Sequence, residues 1–403
     1  MSVTTKATET KKQGAQLRTL LADHPLSTYY LLVGSTLLLL GLGLVMVLSA
    51  SSIESINVFG SAYTLVQRQA LFAVGGVALM FFLSRRSVEF WQKSAPWVLG
   101  GSIVLLLAVL VIGHEVAGQK NWIELFGPFR LQPSEFAKFG LILWGADLLT
   151  KRERQLDNWK TMLIPLAPVA GFMMLLVLAE GDFGNTLMLA AIFVGMLFAI
   201  GAPLRLFAWI GGIGVLAVIG LTLLAPYRMS RFTSWISPED DRLGSGWQLI
   251  QGHYALGTGG WWGVGLGASR EKWGSLPEAH TDFIFSVIGE ELGLVGTIAV
   301  LLLFATLIFA TYRVIRNARL TFVKVAAAGV GSWVLVQAIV NIGAVLGLLP
   351  ITGVPLPLVS YGGSSLIPTL AALGMLMSFS RVEPAAMRAL TKRKTVRASR
   401  NRV

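Results

Sequence analysis

The sequence predicts an all-α polytopic membrane protein with about ten transmembrane helices, both termini cytoplasmic, and one large extracytoplasmic loop between helices 7 and 8. Three observations carry that reading. Charged residues are only 13% of the 403 and hydrophobic residues 54%, whereas soluble domains carry about 25% charge. Apolar runs of about 20 residues, long enough to cross a ~30 Å hydrocarbon core, recur along the whole chain. Lys and Arg concentrate in alternate loops.

The predicted spans are 29–50, 64–84, 97–114, 134–150, 161–180, 183–201, 206–225, 283–312, 323–349 and 364–382. Residues 1–28 form a polar N-terminal tail carrying Lys6, Lys11, Lys12 and Arg18. The apolar run after it is too long for a signal-peptide core and lacks a clear cleavage site, so it reads as a retained start-anchor helix. That tail, the stretches 85–95, 150–160, 201–205 and 312–324, and the C-terminal end hold 24 of the 33 Lys and Arg. Their side is therefore cytoplasmic. The net charge of +12 reflects topology more than a nucleic-acid surface, and no nucleic-acid partner is expected. The tail 383–403 is a basic cytoplasmic extension; contact with anionic membrane lipid is a second reading of it. The chain has no Cys, which removes disulfides and thiolate metal sites. Residues 29–382 form one membrane domain without internal repeats.

The outer loops are 51–63, 115–133, a tight turn near 180–185, the long loop 226–282, and 350–363. The long loop holds Trp235, Trp247, Trp261, Trp262 and Trp273, five of the twelve tryptophans. Within 245–258, Trp247, Ile250 and Tyr254 fall on one face of a short helix. An aromatic belt at the membrane interface and a surface for stacking on sugars are both open readings. The loop ends with Glu278, His280, Thr281 and Asp282, followed by an apolar helix. Helix capping explains Thr281 or Asp282. Glu290 and Glu291, two turns further on, fall inside the predicted span, where ionisable groups are costly and face a cavity or a partner.

The 115–138 region adds Trp122, Glu124, Arg130, Gln132, Glu135 and Lys138. Glu135 and Lys138 share a helix face and suit a local ion pair; a lysine near the outer surface also suits a phosphate group. Arg68, Arg228 and Arg231 are candidates for the same task. Asp182, in Gly181-Asp182-Phe183-Gly184, reads as a turn residue. Pro350, Gly353, Pro355 and Pro357 preclude regular helix. Ser360-Tyr361-Gly362-Gly363-Ser364-Ser365 follows, and irregular backbone at membrane depth is tolerated only where it is buried in protein or lines a cavity. No Walker A, HExxH, GxSxG or His/Cys metal pattern occurs, which argues against ATP-driven transport by this chain alone.

Six strings resemble the SEDS family of membrane glycosyltransferases. They are NWIELFGPFRLQPSEFAK (121–138), GDFGNTL (181–187), PYRMSRFTSWISPEDD (226–241), GWQLIQGHYALGTGGWWGVGLG (246–267), LPEAHTDFIFSVIGEELGLVG (276–296) and GLLPITGVPLPLVSYGGSS (347–365). They occur in the family order, and the last two are the most specific. LPEAHTDFIF and the polar N-terminal extension resemble the division (FtsW) branch more than the elongation (RodA) branch. Asn121 stands where many members have Arg, Trp247 where Tyr is commoner, and Leu358 where Phe is frequent.

The resemblance implies a ten-helix enzyme of the bacterial cytoplasmic (inner) membrane, at the septum in the division branch. It implies polymerisation of lipid II into peptidoglycan strands beside a class B penicillin-binding protein and other divisome proteins. The family's essential loop aspartate corresponds to Asp282, and other family positions to Trp122, Glu135, Lys138 and Arg231. Asp282 is thus the expected catalytic base. Arg68, Trp122, Glu135, Lys138, Arg228, Arg231, Glu278, His280, Thr281 and Ser360 are the expected substrate-binding residues. No particular cofactor is indicated; a divalent cation would be compatible, although no cluster demands one. A lipid II flippase, the elongation-type polymerase and a non-catalytic division scaffold are the alternative readings.

Overall fold

The computed structural model describes residues 26–383 apart from 117, 127–128, 156–158, 224–225 and 242–243, together with 386–387. Residues 1–25 of the N-terminal tail and most of the basic C-terminal tail lie outside the described residues. Seven helices come first: α1 (Ser27–Phe59), α2 (Thr64–Leu83), α3 (Val88–Ile112), α4 (Pro133–Lys151), α5 (Trp159–Ala179), α6 (Phe183–Ala199) and α7 (Leu204–Leu223). The segment after them folds into α8 (Pro226–Ile236) and α9 (Ser245–Gly259). Then come α10 (Ile284–Asn317), α11 (Thr321–Val345) and α12 (Gly363–Ser380). A helix stands at each of the predicted spans, and α9 coincides with the helix read at 245–258.

Eight of these helices are long and apolar enough to cross a membrane: α1, α2, α3, α5, α7, α10, α11 and α12. The other two predicted spans, α4 and α6, fall short for a physical reason. α6 has only 17 residues, and α4 carries Glu135, Lys138, Asp147 and Lys151. Both are sheathed by other helices, and 14 of the 19 residues of α4 are buried. A helix surrounded by protein need not present an apolar surface to lipid. α7 is the opposite case, with Leu206 its one buried residue. The centre of the bundle is α4, α6, α11 and α12, and the other spans surround it.

Two features depart from the sequence reading. The stretch expected as the loop 115–133 is largely a three-stranded antiparallel sheet, β1 (His114–Val116), β2 (Gln119–Phe126) and β3 (Phe129–Leu131). In its register Trp122 opposes His114, and Glu124 opposes Arg130. Arg130 bridges to Glu124 at 3.2 Å, one of the cross-strand charge pairs that favour such a ladder. The backbone N–H of Lys120 donates to the Glu180 carbonyl at 2.9 Å, which fixes the sheet over the turn between α5 and α6.

The second departure is a break in α10 at Gly293, whose φ of 65° and ψ of −164° are not helical. Residues 260–265 insert there. Val264 and Gly265 donate to the carbonyls of Glu290 and Glu291, and Leu294 and Val295 donate back to those of Gly260 and Trp261. The exposed apolar face of α10 begins only after the break, with Leu294, Val295, Ile298, Leu301, Leu302 and Phe309, and ends near Tyr312. Those roughly 19 residues rise about 28 Å, close to the thickness of a hydrocarbon core. Exposed Trp261 and Trp262 mark its upper end. Glu290 and Glu291 therefore lie outside the lipid-facing stretch, and both are buried by protein. Glu290 accepts from Ser269 Oγ (2.5 Å) and the Arg270 N–H (2.8 Å); Glu291 accepts from Ser49 Oγ (2.5 Å).

α9 packs Leu249, Gly252 and Ala255 inward and leaves Trp247 and Tyr254 exposed. The aromatic face read from the sequence is therefore its outer one. A Cβ added at Gly293 would lie 2.4 Å from Gly263 N and 2.6 Å from the Trp261 oxygen. Gly293→Ala is expected to destabilise the protein by about 1–3 kcal/mol, the usual cost of a glycine-only backbone conformation. The check is the thermal midpoint of detergent-purified protein, and a midpoint equal to wild type would contradict this account of the break.

Candidate active site

The site forms where the last residues of the long connection, 278–282, meet the irregular segment 346–362. Three successive carbonyls are held by three different donors. The Tyr361 N–H donates to the His280 oxygen at 2.9 Å. Ser360 Oγ donates to the Thr281 oxygen at 2.6 Å. Asn341 Nδ2, from the core of α11, donates to the Asp282 oxygen at 2.9 Å. Ser360 Oγ also accepts from the Leu356 N–H at 2.8 Å. The turn 278–282 is thus fixed by backbone and short side chains before any functional group is considered.

The Asp282 side chain is half-buried and points towards Gly353 and Arg231. A Cβ at Gly353 would lie 3.7 Å from Asp282 Oδ2 and 3.9 Å from Arg231 Nη1. α8 delivers the guanidinium. Burial pushes the Asp282 carboxyl up to about 7; the neighbouring Glu278 charge adds to the rise and Arg231 opposes it. Glu278 has a φ of 53°, unusual for a residue with a side chain, and Thr281 Oγ1 donates to its carboxylate at 2.5 Å.

On the other flank, Glu54 at the end of α1 lies 3.3 Å from Nδ1 of buried His280. The His280 ring packs on Tyr361, with centroids 5.4 Å apart. Arg68 hydrogen-bonds the Tyr361 phenol, which burial raises above its usual pKa while Arg68 opposes the shift. The Arg68 guanidinium also lies 4.5 Å above the Phe59 ring. Gln69, one residue on, bonds the Ser360 oxygen (3.2 Å) and the Gly362 N–H (3.1 Å).

Beneath the site lies a buried polar layer. Lys138 has no exposed side-chain area and donates to Glu135 at 2.8 Å and to Gln337 at 3.3 Å. Its ammonium sits 4.9 Å from the Trp333 ring. Asp182 does more than turn the chain. It caps α6 through the Asn185 N–H (2.9 Å) and accepts from the amides of Asn185 (2.8 Å), Gln132 (3.0 Å) and Asn121 (3.3 Å). Glu180, in the same turn, is buried with neither carboxyl oxygen hydrogen-bonded, and burial, reinforced by the Asp182 charge, pushes it up to about 9.

Of the residues expected to form the site, Asp282, Glu278, His280, Thr281, Ser360 and Arg231 come together, with Arg68 joined through Tyr361. Lys138 does not reach them: the ion-pair reading is realised, and the reading as a surface phosphate ligand is not, because the ammonium is enclosed and shared with Glu135 and Gln337. Glu135 is enclosed with it. Ser360 spends its hydroxyl on two backbone groups, which makes it a brace. Trp122 lies on β2, half-buried, opposite His114. Arg228 occupies the first turn of α8, and its side chain lies outside the described residues. Sequence reasoning passed over Glu54, Gln69, Gln337, Asn341 and Tyr361. The available signal was polar groups inside apolar spans: Gln337 and Asn341 are one turn apart in α11.

A bundle of this kind, with a carboxylate held over a buried polar core at one end, defines a polytopic helical membrane protein. The sequence profile described as "Cell cycle protein", covering FtsW, RodA and SpoVE, matches residues 30–384, and the chain belongs to that family. It is 40% identical over 369 residues to a probable peptidoglycan glycosyltransferase FtsW of Mycobacterium tuberculosis, covering 91% of this chain and 70% of the relative. It is 39% identical over 353 residues to the stage V sporulation protein E of Bacillus subtilis, covering 87% and 96%. Among solved structures it resembles a chain from a study titled "Structural coordination of polymerization and crosslinking by a peptidoglycan synthase complex", with TM-score 0.72, 31% identity, and 88% and 97% covered. It also resembles the rod shape determining protein RodA of Thermus thermophilus, with TM-score 0.65, 28% identity, and 88% and 97% covered.

Removing one partner of a buried ion pair leaves an uncompensated charge and costs about 3–5 kcal/mol. Lys138→Met is therefore expected to destabilise strongly, and Glu135→Gln combined with Lys138→Met much less. Thermal unfolding of the single and double variants checks this; equal losses in both would mean that the pair is not the source.

Proposed function

We propose that this chain is a peptidoglycan glycosyltransferase that polymerises lipid II during septal cell-wall synthesis, with Asp282 as general base. The observation that carries the reading is the Asp282 carboxylate: half-buried, backbone-anchored, beside Arg231, and held up to about 7. A base near the working pH is what proton abstraction from a sugar hydroxyl needs. In the proposed step the acceptor hydroxyl gives its proton to Asp282 and its oxygen forms the new bond to the donor's anomeric carbon. The bond from that carbon to the diphosphate breaks, and undecaprenyl diphosphate leaves with the electron pair. Direct displacement inverts the anomeric centre.

Negative charge then develops on the diphosphate, and fixed cations aimed at it lower the barrier. Arg231 lies on the same side of Gly353 as the base, and Arg68 lies on the opposite flank. Arg228, one turn before Arg231 on α8, adds a third cation; Lys138 acts from beneath as a support. Glu278, His280 and Thr281 surround the acceptor side, and Trp122 serves the substrate from the neighbouring sheet. Among the described residues no group of three or more His, Asp or Glu has metal-binding geometry. Glu278 and Asp282 together with substrate phosphates are a set that Mg²⁺ accepts, and no step here depends on it.

The positive-inside pattern supports cytoplasmic termini and a site on the outer face of the inner membrane. The membrane domain is 29–382, with tails 1–28 and 383–403. The structural relative from a peptidoglycan synthase complex supports a class B penicillin-binding protein as partner, within a larger division assembly. The division branch rests on relatives named FtsW.

Polymerisation of lipid II by purified Asp282→Ala with its transpeptidase partner tests the base. A loss of about 10²-fold or more is expected; wild-type polymerisation by the folded variant would remove Asp282 from the mechanism. The active form is the deprotonated carboxylate, so kcat/KM is expected to rise with pH through about 7. Arg231 favours the charged form, so Arg231→Gln moves that acid limb to higher pH. Glu278 disfavours it, so Glu278→Gln moves the limb lower. Unmoved limbs in both variants would contradict the assignment.

A further inference from the structure

One buried polar chain has no task in this mechanism. Gln337 and Asn341 are 1% and 3% exposed, on the core face of α11. Trp333 Nε1 and Lys138 Nζ donate to Gln337 Oε1 at 2.7 and 3.3 Å. Both groups are donors only, so the carboxamide has one orientation. Its Nε2 donates to the Pro355 carbonyl at 2.9 Å. Asn341 Nδ2 faces two carbonyls, those of Val354 and Asp282, each at 2.9 Å. Carbonyls only accept, so this amide is oriented as well. A continuous path therefore runs from Glu135 through Lys138, Gln337, the peptide 354–355 and Asn341 to Asp282.

We propose that Gln337 and Asn341 are positioning residues that transmit the fixed geometry of the Glu135–Lys138 pair to the Asp282 backbone and so aim its carboxylate at Arg231. The inference rests on the base reading of Asp282. Of the three donors on the 280–282 carbonyls, Asn341 is the one that reaches residue 282, and the one that comes from the rigid centre of the bundle. Its two N–H groups match its two carbonyl partners, and its Oδ1 has no hydrogen-bond partner. Leucine at this position fills similar volume while withdrawing both donors. The Val354 and Asp282 carbonyls then lose this donor, and the turn at 278–282 relieves that by moving. A displacement of about 1 Å at a catalytic group costs about 10² in rate.

The test is steady-state lipid II polymerisation by the complex with the transpeptidase partner, for wild type, Asn341→Leu, Gln337→Met, their combination and Asp282→Ala. Asn341→Leu is expected to lower kcat about 10- to 100-fold while KM stays within about threefold, since a misaimed base affects the transition state more than binding. Gln337→Met is expected to lose less. The combined variant is expected to lose no more than about the larger single loss, because both hold the same short segment, Val354–Pro355, through adjacent carbonyls. A general packing defect has no reason to give that kcat–KM split or that non-additivity. Wild-type kcat in both single variants, a raised KM at unchanged kcat, or multiplying losses in the combination overturns the proposal. If Asn341→Leu does not fold, Asn341→His retains one N–H and carries the same test with a smaller loss; wild-type kcat again overturns it. An inactive Asp282→Ala beside a fully active Asn341→Leu sinks this inference alone, and a fully active Asp282→Ala sinks the base reading beneath it.

Discussion

The segment 350–362 satisfies few of its own backbone groups, the internal bonds being those among Leu356, Val359 and Ser360. Three prolines remove their N–H groups, the glycine at 353 takes a positive φ, and Leu358 does so too, at 66°. Its polar backbone is nevertheless packed among helices, so its partners must come from elsewhere. They come from three other parts of the chain: Gln69 on α2, Gln337 and Asn341 on α11, and the turn at 280–281; Ser360 closes one further bond within the segment. α1 approaches so closely that a Cβ at Gly43 would lie 2.7 Å from Val359 Cα. The position of the site follows from this need. Asp282 sits where it does because the turn before it accepts two bonds from this segment, from the Tyr361 N–H and the Ser360 hydroxyl.

The same logic explains why the interior is polar where it is. In water, burying Lys138 and Glu135 completely would be a poor way to gain stability. Inside a membrane protein the outer surface must be apolar, so residues that encode specific geometry are displaced inwards. α4 shows this directly: Glu135, Lys138 and Asp147 are buried, while the encircling helices carry the lipid-compatible surface. Asp182, with four N–H donors, performs the same task for the sheet and for α6.

Much of this was legible in the sequence. Apolar runs located the ten principal helices, because a ~30 Å core imposes a length that few other constraints imitate. The place of Asp282, at a junction between polar loop and apolar helix, was legible too; its reading as a base came from the family resemblance, since the residue pattern alone also fits a helix cap. The sheet at 114–131 was not, because short strands with a mixed pattern resemble a polar loop. The Gly293 break escaped notice for a different reason: the glycine lies within a stretch, 283–312, that reads as one continuous span, and the residues that complete the interrupted ladder come from about thirty positions earlier. Lys138 was misplaced because its sequence position gives its height in the membrane but not how completely α11 covers it. Gln337 and Asn341 were visible as letters, yet their meaning depends on carbonyls supplied by another segment.

α7 has one buried residue and rests mainly on α8 among its own chain's elements. A helix so placed is constrained by length and oiliness rather than by neighbours, so its residues can exchange with one another as long as the stretch still spans the bilayer. Its sequence should therefore drift faster than that of α4, where nearly every side chain fits a shaped space. The same weak attachment lets α7 sway without disturbing the packed centre. That leaves the bundle a pliable wall beside α8, the element that holds Arg231 in place.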